Sequence, residues 1–178
     1  MKKVSILLIV ALVTGALLAT MAAAQGNGAL RASAQLVDPA GNVVGEAKFT
    51  EDAAGKLHLN VQVDGVSSGL HGIHLHAVGA CTPDFAAAGG HHNPLGHQHG
   101  LNNPQGAHAG DLPNLVVNGA GQGHLNAVSE RATISDGPTT LFDADGSAVI
   151  IHAGPDDQVT DPTGNSGGRI ACGVIVAE

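Results

Sequence analysis

Aromatic side chains are almost absent: the 178 residues include three Phe and no Trp or Tyr. A hydrophobic core must therefore be built from Val, Ile, Leu and Ala, and no large aromatic anchors are at hand for a binding hot spot. Basic residues are scarce too, seven Lys and Arg against 15 Asp and Glu. That balance argues against nucleic acid or an anionic membrane surface as a partner. Cysteine is limited to Cys81 and Cys172. No linker-like change of composition divides the chain, and no repeat of about 20 to 50 residues is visible.

What is present begins with a processing signal. Lys2 and Lys3 precede an apolar run from Val4 to Leu18, and Ala22-Ala23-Ala24 stands before Gln25. Charged, apolar and small-residue segments in that order predict a secretory signal over 1–24, cut after Ala24. The apolar run is almost long enough to cross a bilayer, so retention as an anchor is the alternative. Cleavage leaves a single domain over 25–178, with five basic and 15 acidic side chains and a formal charge of −10 with neutral histidine. Such a chain is expected in the periplasm or outside the cell, where two cysteines read as a disulfide. Closing so long a loop would stabilise the fold by about 4 to 5 kcal/mol in chain-entropy terms.

Short alternating segments follow one another. Strands are predicted over 29–37, 43–49, 57–63, 70–78, 115–118, 124–130, 147–152 and 169–177, separated by turn clusters such as Asp38-Pro39-Ala40-Gly41-Asn42. Eight short strands suggest an all-β sandwich or barrel. Two long stretches have no period, 79–113 and 153–168, and the first holds five histidines. Connections of that length inside a compact domain are usually functional or disordered, and the histidines with a cystine candidate favour function.

The chemistry starts at His71-Gly72-Ile73-His74-Leu75-His76. On a strand, His74 and His76 face the same way, about 7 Å apart, with Ile73 and Leu75 turned to the core. His71 has the wrong parity and reads as structural, while His58 and His124 read as solvated strand histidines. His91, His92, His97, His99, His108, Asp111 and His152 complete a set rich in imidazole with a single carboxylate, which suits a transition metal better than calcium or magnesium.

Four ordered motifs now carry a resemblance: the histidine strand, Gly90-His91-His92-Asn93-Pro94, His108-Ala109-Gly110-Asp111-Leu112, and the run from Gly164 to Gly173. Together they resemble a copper/zinc superoxide dismutase of the bacterial exported type, over essentially the whole of 25–178. The resemblance implies an eight-stranded Greek-key β-barrel with two long functional loops. It implies copper held by His74, His76, His91 and His152, zinc held by His91, His99, His108 and Asp111, and His91 bridging the two. It implies that Asp156, with Asp157 as its competing neighbour, accepts hydrogen bonds from His74 and His99, and that Arg169 guides the superoxide anion. His92 and His97 are then surplus and read as solvent-facing. The implied activity is dismutation of superoxide to dioxygen and hydrogen peroxide by a redox-cycling copper beside a structural zinc. A non-catalytic copper or zinc carrier on the same fold is the alternative, and a homodimer is compatible with the family. The 153–168 loop carries no Lys or Arg and three Asp residues, so weak long-range steering of the anion is expected.

Overall fold

The computed structural model describes residues 29–178, so the expected signal over 1–24 lies outside the described residues. Ten strands are formed: β1 (Leu30–Val37), β2 (Val43–Glu51), β3 (Leu57–Val63), β4 (Gly69–His71), β5 (Ile73–His76), β6 (Leu115–Val117), β7 (Gly123–Ser129), β8 (Ala148–His152), β9 (Arg169–Val174) and β10 (Val176–Ala177). One 3-10 turn, Phe85–Ala88, lies between β5 and β6, with the Asp84 side chain accepting from the Ala86 N–H.

The ten strands are the eight expected segments with two breaks. The segment expected over 70–78 splits at Gly72, because β4 pairs with β6 while β5 pairs with β8. A β-carbon at Gly72 would lie 2.7 Å from that of Ser166, so glycine is needed where the strand changes partner. The last segment breaks at Ile175, and β10 leaves β8 to pair with β1.

Strand order along the sheet is β4-β6-β7-β3-β2-β1-β9-β8-β5. The two ends of this path, β4 and β5, are successive pieces of one segment, so the sheet curls into an almost closed Greek-key barrel. Alternation decides what goes inside: β3, Leu57 to Val63, buries every second residue and exposes or half-exposes the others. The core holds Leu36, Phe49, Leu57, Ile73, Leu75, Leu115, Leu141 and Ile151, each at most 1% exposed. Phe49 is its one fully buried aromatic, and burial of each branched aliphatic side chain contributes about 1.5 to 3 kcal/mol.

β8 behaves differently, since all five of its residues are buried. Val149 and Ile151 enter the main core, while Ala148 and Ile150 pack outside it against Cys172, Ala88 and Phe85. Cys81 and Cys172 form a disulfide, which closes the loop carrying the 3-10 turn over that outer face. The outer wall at β5 and β8 is thus covered by the two long loops.

Candidate metal centre

β5 presents His74 and His76 on the face opposite Ile73 and Leu75, as strand parity requires, and both are at most 1% exposed. β8 runs antiparallel beside it and ends at His152. The long loop returns along the free side of β5, with the His92 N–H donating to the Leu75 carbonyl at 2.8 Å and the Leu75 N–H to the Gly110 carbonyl at 2.9 Å. These bonds place His91 opposite His76 and Asp111 opposite His74.

Two sets of donors converge. His74, His76, His91 and His152 form one, and His91, His99, His108 and Asp111 the other; the ligand atoms within each set lie within 4.8 Å of one another. All eight contributions come from buried residues, and His91 belongs to both sets. In the second set, Nδ1 of His91 and of His99 lie 3.0 Å from Asp111 Oδ1, and His108 Nδ1 lies at 3.3 Å. A tetrahedral zinc ion with bonds of about 2.0 Å keeps its donors about 3.3 Å apart, which these separations fit. Asp111 Oδ1 is aimed inward because its Oδ2 accepts from the N–H groups of Gly100 and His108.

In the first set each ring has one nitrogen tied and one free. His76 Nδ1 donates to the Gly89 carbonyl at 3.0 Å and His152 Nδ1 to the Gly167 carbonyl at 3.1 Å. His74 Nε2 donates to Asp156 Oδ2 at 2.7 Å. The remaining atoms, His74 Nδ1, His76 Nε2, His91 Nε2 and His152 Nε2, are buried with no hydrogen-bond partner among the described residues. Buried polar atoms are nearly always paired, so four orphaned lone pairs aimed at one point call for an electrophile.

Burial lowers the pKa of His74 to about 3, of His76 to about 2 and of His152 to about 4 in the metal-free chain. They are neutral and ready to ligate. At His99 burial acts the same way, but the Asp111 and Asp156 carboxylates outweigh it and raise the ring to about 9. A metal in the second set would displace that proton.

Asp156 is 3% exposed and joins the two sets, its Oδ1 lying 3.0 Å from His99 Nε2. Asp157 is exposed and accepts instead from the N–H groups of Val159 and Thr160 in its own turn. Two supports were given no role by the sequence. The Asn114 amide brackets the Asp156 backbone with two bonds of 2.8 Å. Gly164, at φ +61°, passes so close to the Asp156–His99 pair that a β-carbon would overlap the carboxylate.

Of the other histidines, His71 is buried and bonds the His152 and Ser67 carbonyls, a structural part. His58 and His124 are exposed on their strands, bonded to Asp52 and Asn60, and His97 is exposed on its loop. His92 differs from expectation: it is 2% exposed rather than solvent-facing. The backbone pairing that turns His91 toward the donors turns His92 to the other side, where Nε2 donates to the Thr139 carbonyl at 3.3 Å.

Arg169 opens β9, and its guanidinium donates to the carbonyls of Phe85 and Gly89. It lines a cavity of about 280 Å³ together with His76, His91, His108, His152, Asn93 and Thr163. Lys48 and Lys56 are paired on the surface with Glu46 and Glu130, away from that cavity. A larger depression of about 820 Å³ on the barrel wall, between Gln35 and His124, holds no donor set.

Comparison with known proteins agrees with this geometry. The family described as copper/zinc superoxide dismutase (SODC) matches residues 43–175. A Cu-Zn superoxide dismutase of Aquifex aeolicus is 41% identical over 149 residues, 82% of this chain and 86% of the relative. A superoxide dismutase-like protein of Bacillus subtilis, YojM, is 41% identical over 145 residues, 80% of this chain and 74% of the relative. The crystal structure of a SOD-like protein from Bacillus subtilis superposes with a TM-score of 0.77 at 39% identity, covering 81% of this chain and 97% of that one. That of the clock protein EA4 gives 0.70 at 33% identity, covering 82% and 92%. On the matched motifs, the barrel and the paired donor sets, the chain belongs to the copper/zinc superoxide dismutase family.

Proposed function

We propose that this protein dismutates superoxide to dioxygen and hydrogen peroxide, with copper held by His74 Nδ1, His76 Nε2, His91 Nε2 and His152 Nε2. Zinc would be held by His91 Nδ1, His99 Nδ1, His108 Nδ1 and Asp111 Oδ1. The observation that carries this reading is the four orphaned imidazole nitrogens beside a cavity that also holds an arginine. Four imidazoles suit tetragonal copper, and three imidazoles with a carboxylate make a closed zinc site. When bound, copper supplies reversible one-electron exchange with superoxide.

The chain's own residues do the rest. The Arg169 fork is fixed by two carbonyls, and its remaining N–H groups can bind a small anion beside the donor set. The His91 ring shares Nδ1 with the second set, so Nε2, whenever it is not engaged by a metal, would be the atom that can hold a proton and pass it to a departing peroxide. His76 and His152 are kept in one tautomer by the Gly89 and Gly167 carbonyls, and Asp156 orients His74 and His99 together.

Export over 1–24, to the periplasm or the cell exterior, belongs to the same proposal and is supported by the disulfide, which needs an oxidising compartment. The test is metal analysis with a superoxide assay on the purified chain. About one copper and one zinc per chain is expected from the donor sets. Full metal loading without dismutation would replace the enzyme by a copper and zinc carrier, the reading that a relative named only as dismutase-like keeps in view. No stoichiometric metal would overturn both.

A further inference from the structure

The connection from β7 to β8 touches the metal-bearing loop through a side chain that the proposed chemistry leaves unused. Arg131 donates from Nε to the His108 carbonyl at 3.3 Å and from Nη2 to the Asp111 carbonyl at 3.0 Å. These are the first and last residues of the turn His108-Ala109-Gly110-Asp111, and both supply donors to the second set. Inside the turn, the His108 N–H donates to Asp111 Oδ2 at 3.0 Å and the Asp111 N–H to the His108 carbonyl at 3.3 Å. One planar guanidinium therefore spans both carbonyls from outside and fixes their separation with its own rigid fork.

Arg131 is held in its turn. Its N–H donates to Ser129 Oγ at 3.2 Å, and Ala132 beside it is fully buried. Further along, the N–H groups of Ile134 and Ser135 and the Ser135 hydroxyl all donate to the Glu51 carboxylate at the end of β2. Burial would raise the Glu51 pKa, but the bonds from Ser135 and Ile134 outweigh it and keep the group charged. The arginine thus projects from a segment fastened to the barrel wall on both sides. It does not line the cavity, so it is no anion guide.

We infer that Arg131 is a positioning residue for the zinc set, presetting the His108–Asp111 turn before a metal arrives. This rests on the proposed zinc assignment. The acceptors that orient the copper set, the Gly89 and Gly167 carbonyls and Asp156, are untouched by it. Losing an outer support of this kind costs about 10- to 100-fold in metal affinity.

The test compares the full chain with Arg131→Gln and Arg131→Lys by chelator competition for zinc and for copper, by the visible spectrum of cobalt in the zinc set, and by the thermal midpoint of the metal-free protein. Arg131→Gln should lose about 10- to 100-fold in zinc affinity and alter the cobalt spectrum, with copper affinity kept. Arg131→Lys should recover only part, since an ammonium lacks the planar fork. Unchanged zinc affinity in Arg131→Gln would overturn the inference. So would equal losses of zinc, copper and metal-free midpoint, which would make Arg131 a general support of the fold. Failure of the unsubstituted chain to take up zinc would overturn the zinc assignment together with this inference, and it is read separately, in the wild type.

Discussion

Each imidazole of the centre has a division of labour between its two nitrogens, and single substitutions should expose it. His91→Ala should lower both metal contents, His108→Ala mainly zinc and His152→Ala mainly copper, as metal analysis of the three variants will read. A His92→Ala protein that lost both metals while His91→Ala kept them would move the bridge by one residue. Acid should act through the same rings. In the metal-free chain His74, His76 and His152 sit well below the ordinary 6.5, at about 3, 2 and 4. The unfolded chain then binds more protons below pH 6.5, so their contribution is intact above that pH and is lost as pH falls from there toward about 4 and lower. His99 has the opposite sign: raised to about 9, it contributes fully below pH 6.5 and stops contributing as pH rises through 9. The metal-free thermal midpoint should therefore decline on both sides of neutrality; a flat profile from pH 7 to 4 would mean that the three rings are solvated. The two converging donor sets were legible because strand parity and ordered motifs mark them. Asn114 was not, because an amide after proline has no pattern, and Gly164, though it heads a motif, shows its closeness to Asp156 only once the chain is folded. Gly164→Ala should weaken both metals at once, since the new methyl group would displace the carboxylate shared by His74 and His99.

Among the elements, the disulfide loop is what ties Arg169 to the first donor set. Cys81 is bonded to Cys172 on β9, the strand that Arg169 opens, and the Gly89 carbonyl in the same loop accepts from both Arg169 and His76. Reducing the disulfide should lower the thermal midpoint and the dismutation rate together; a reduced protein unchanged in both would show that the loop is held by the packing of its Phe85 and Ala88 against Ala148 and Ile150 alone. Most strand boundaries could be read from alternation, because an outer face in water and an inner face in the core impose period two. The break at Gly72 could not. A strand that changes partners keeps its alternation, and only the crowding against Ser166 shows why no side chain fits there. His92 was misjudged for a related reason: its direction is set by bonds to Leu75 and Gly110, distant in sequence.

Over the whole molecule, charge works against the anion proposed as substrate. Fifteen acidic side chains face five basic ones beyond residue 24, and among the described residues Arg169 is the one Lys or Arg lining the cavity. The rate constant should fall below the diffusional ceiling of about 10⁸ to 10⁹ M⁻¹s⁻¹. Its response to added salt should be weak or positive, because screening removes net repulsion as well as local attraction. A steep fall with salt would reveal a basic approach built by other residues. Arg169→Glu should slow the reaction while copper stays bound. The barrel's closure has one more consequence. β5 ends the sheet path, and its outer side is covered by the loop that carries His91 and Asp111, through the bonds at Leu75 and the bridges at His74 and His76. Metals held by those residues would also keep a strand edge capped. A chain that loses them frees backbone groups able to template pairing with a second copy, so metal supply would govern self-association as well as turnover.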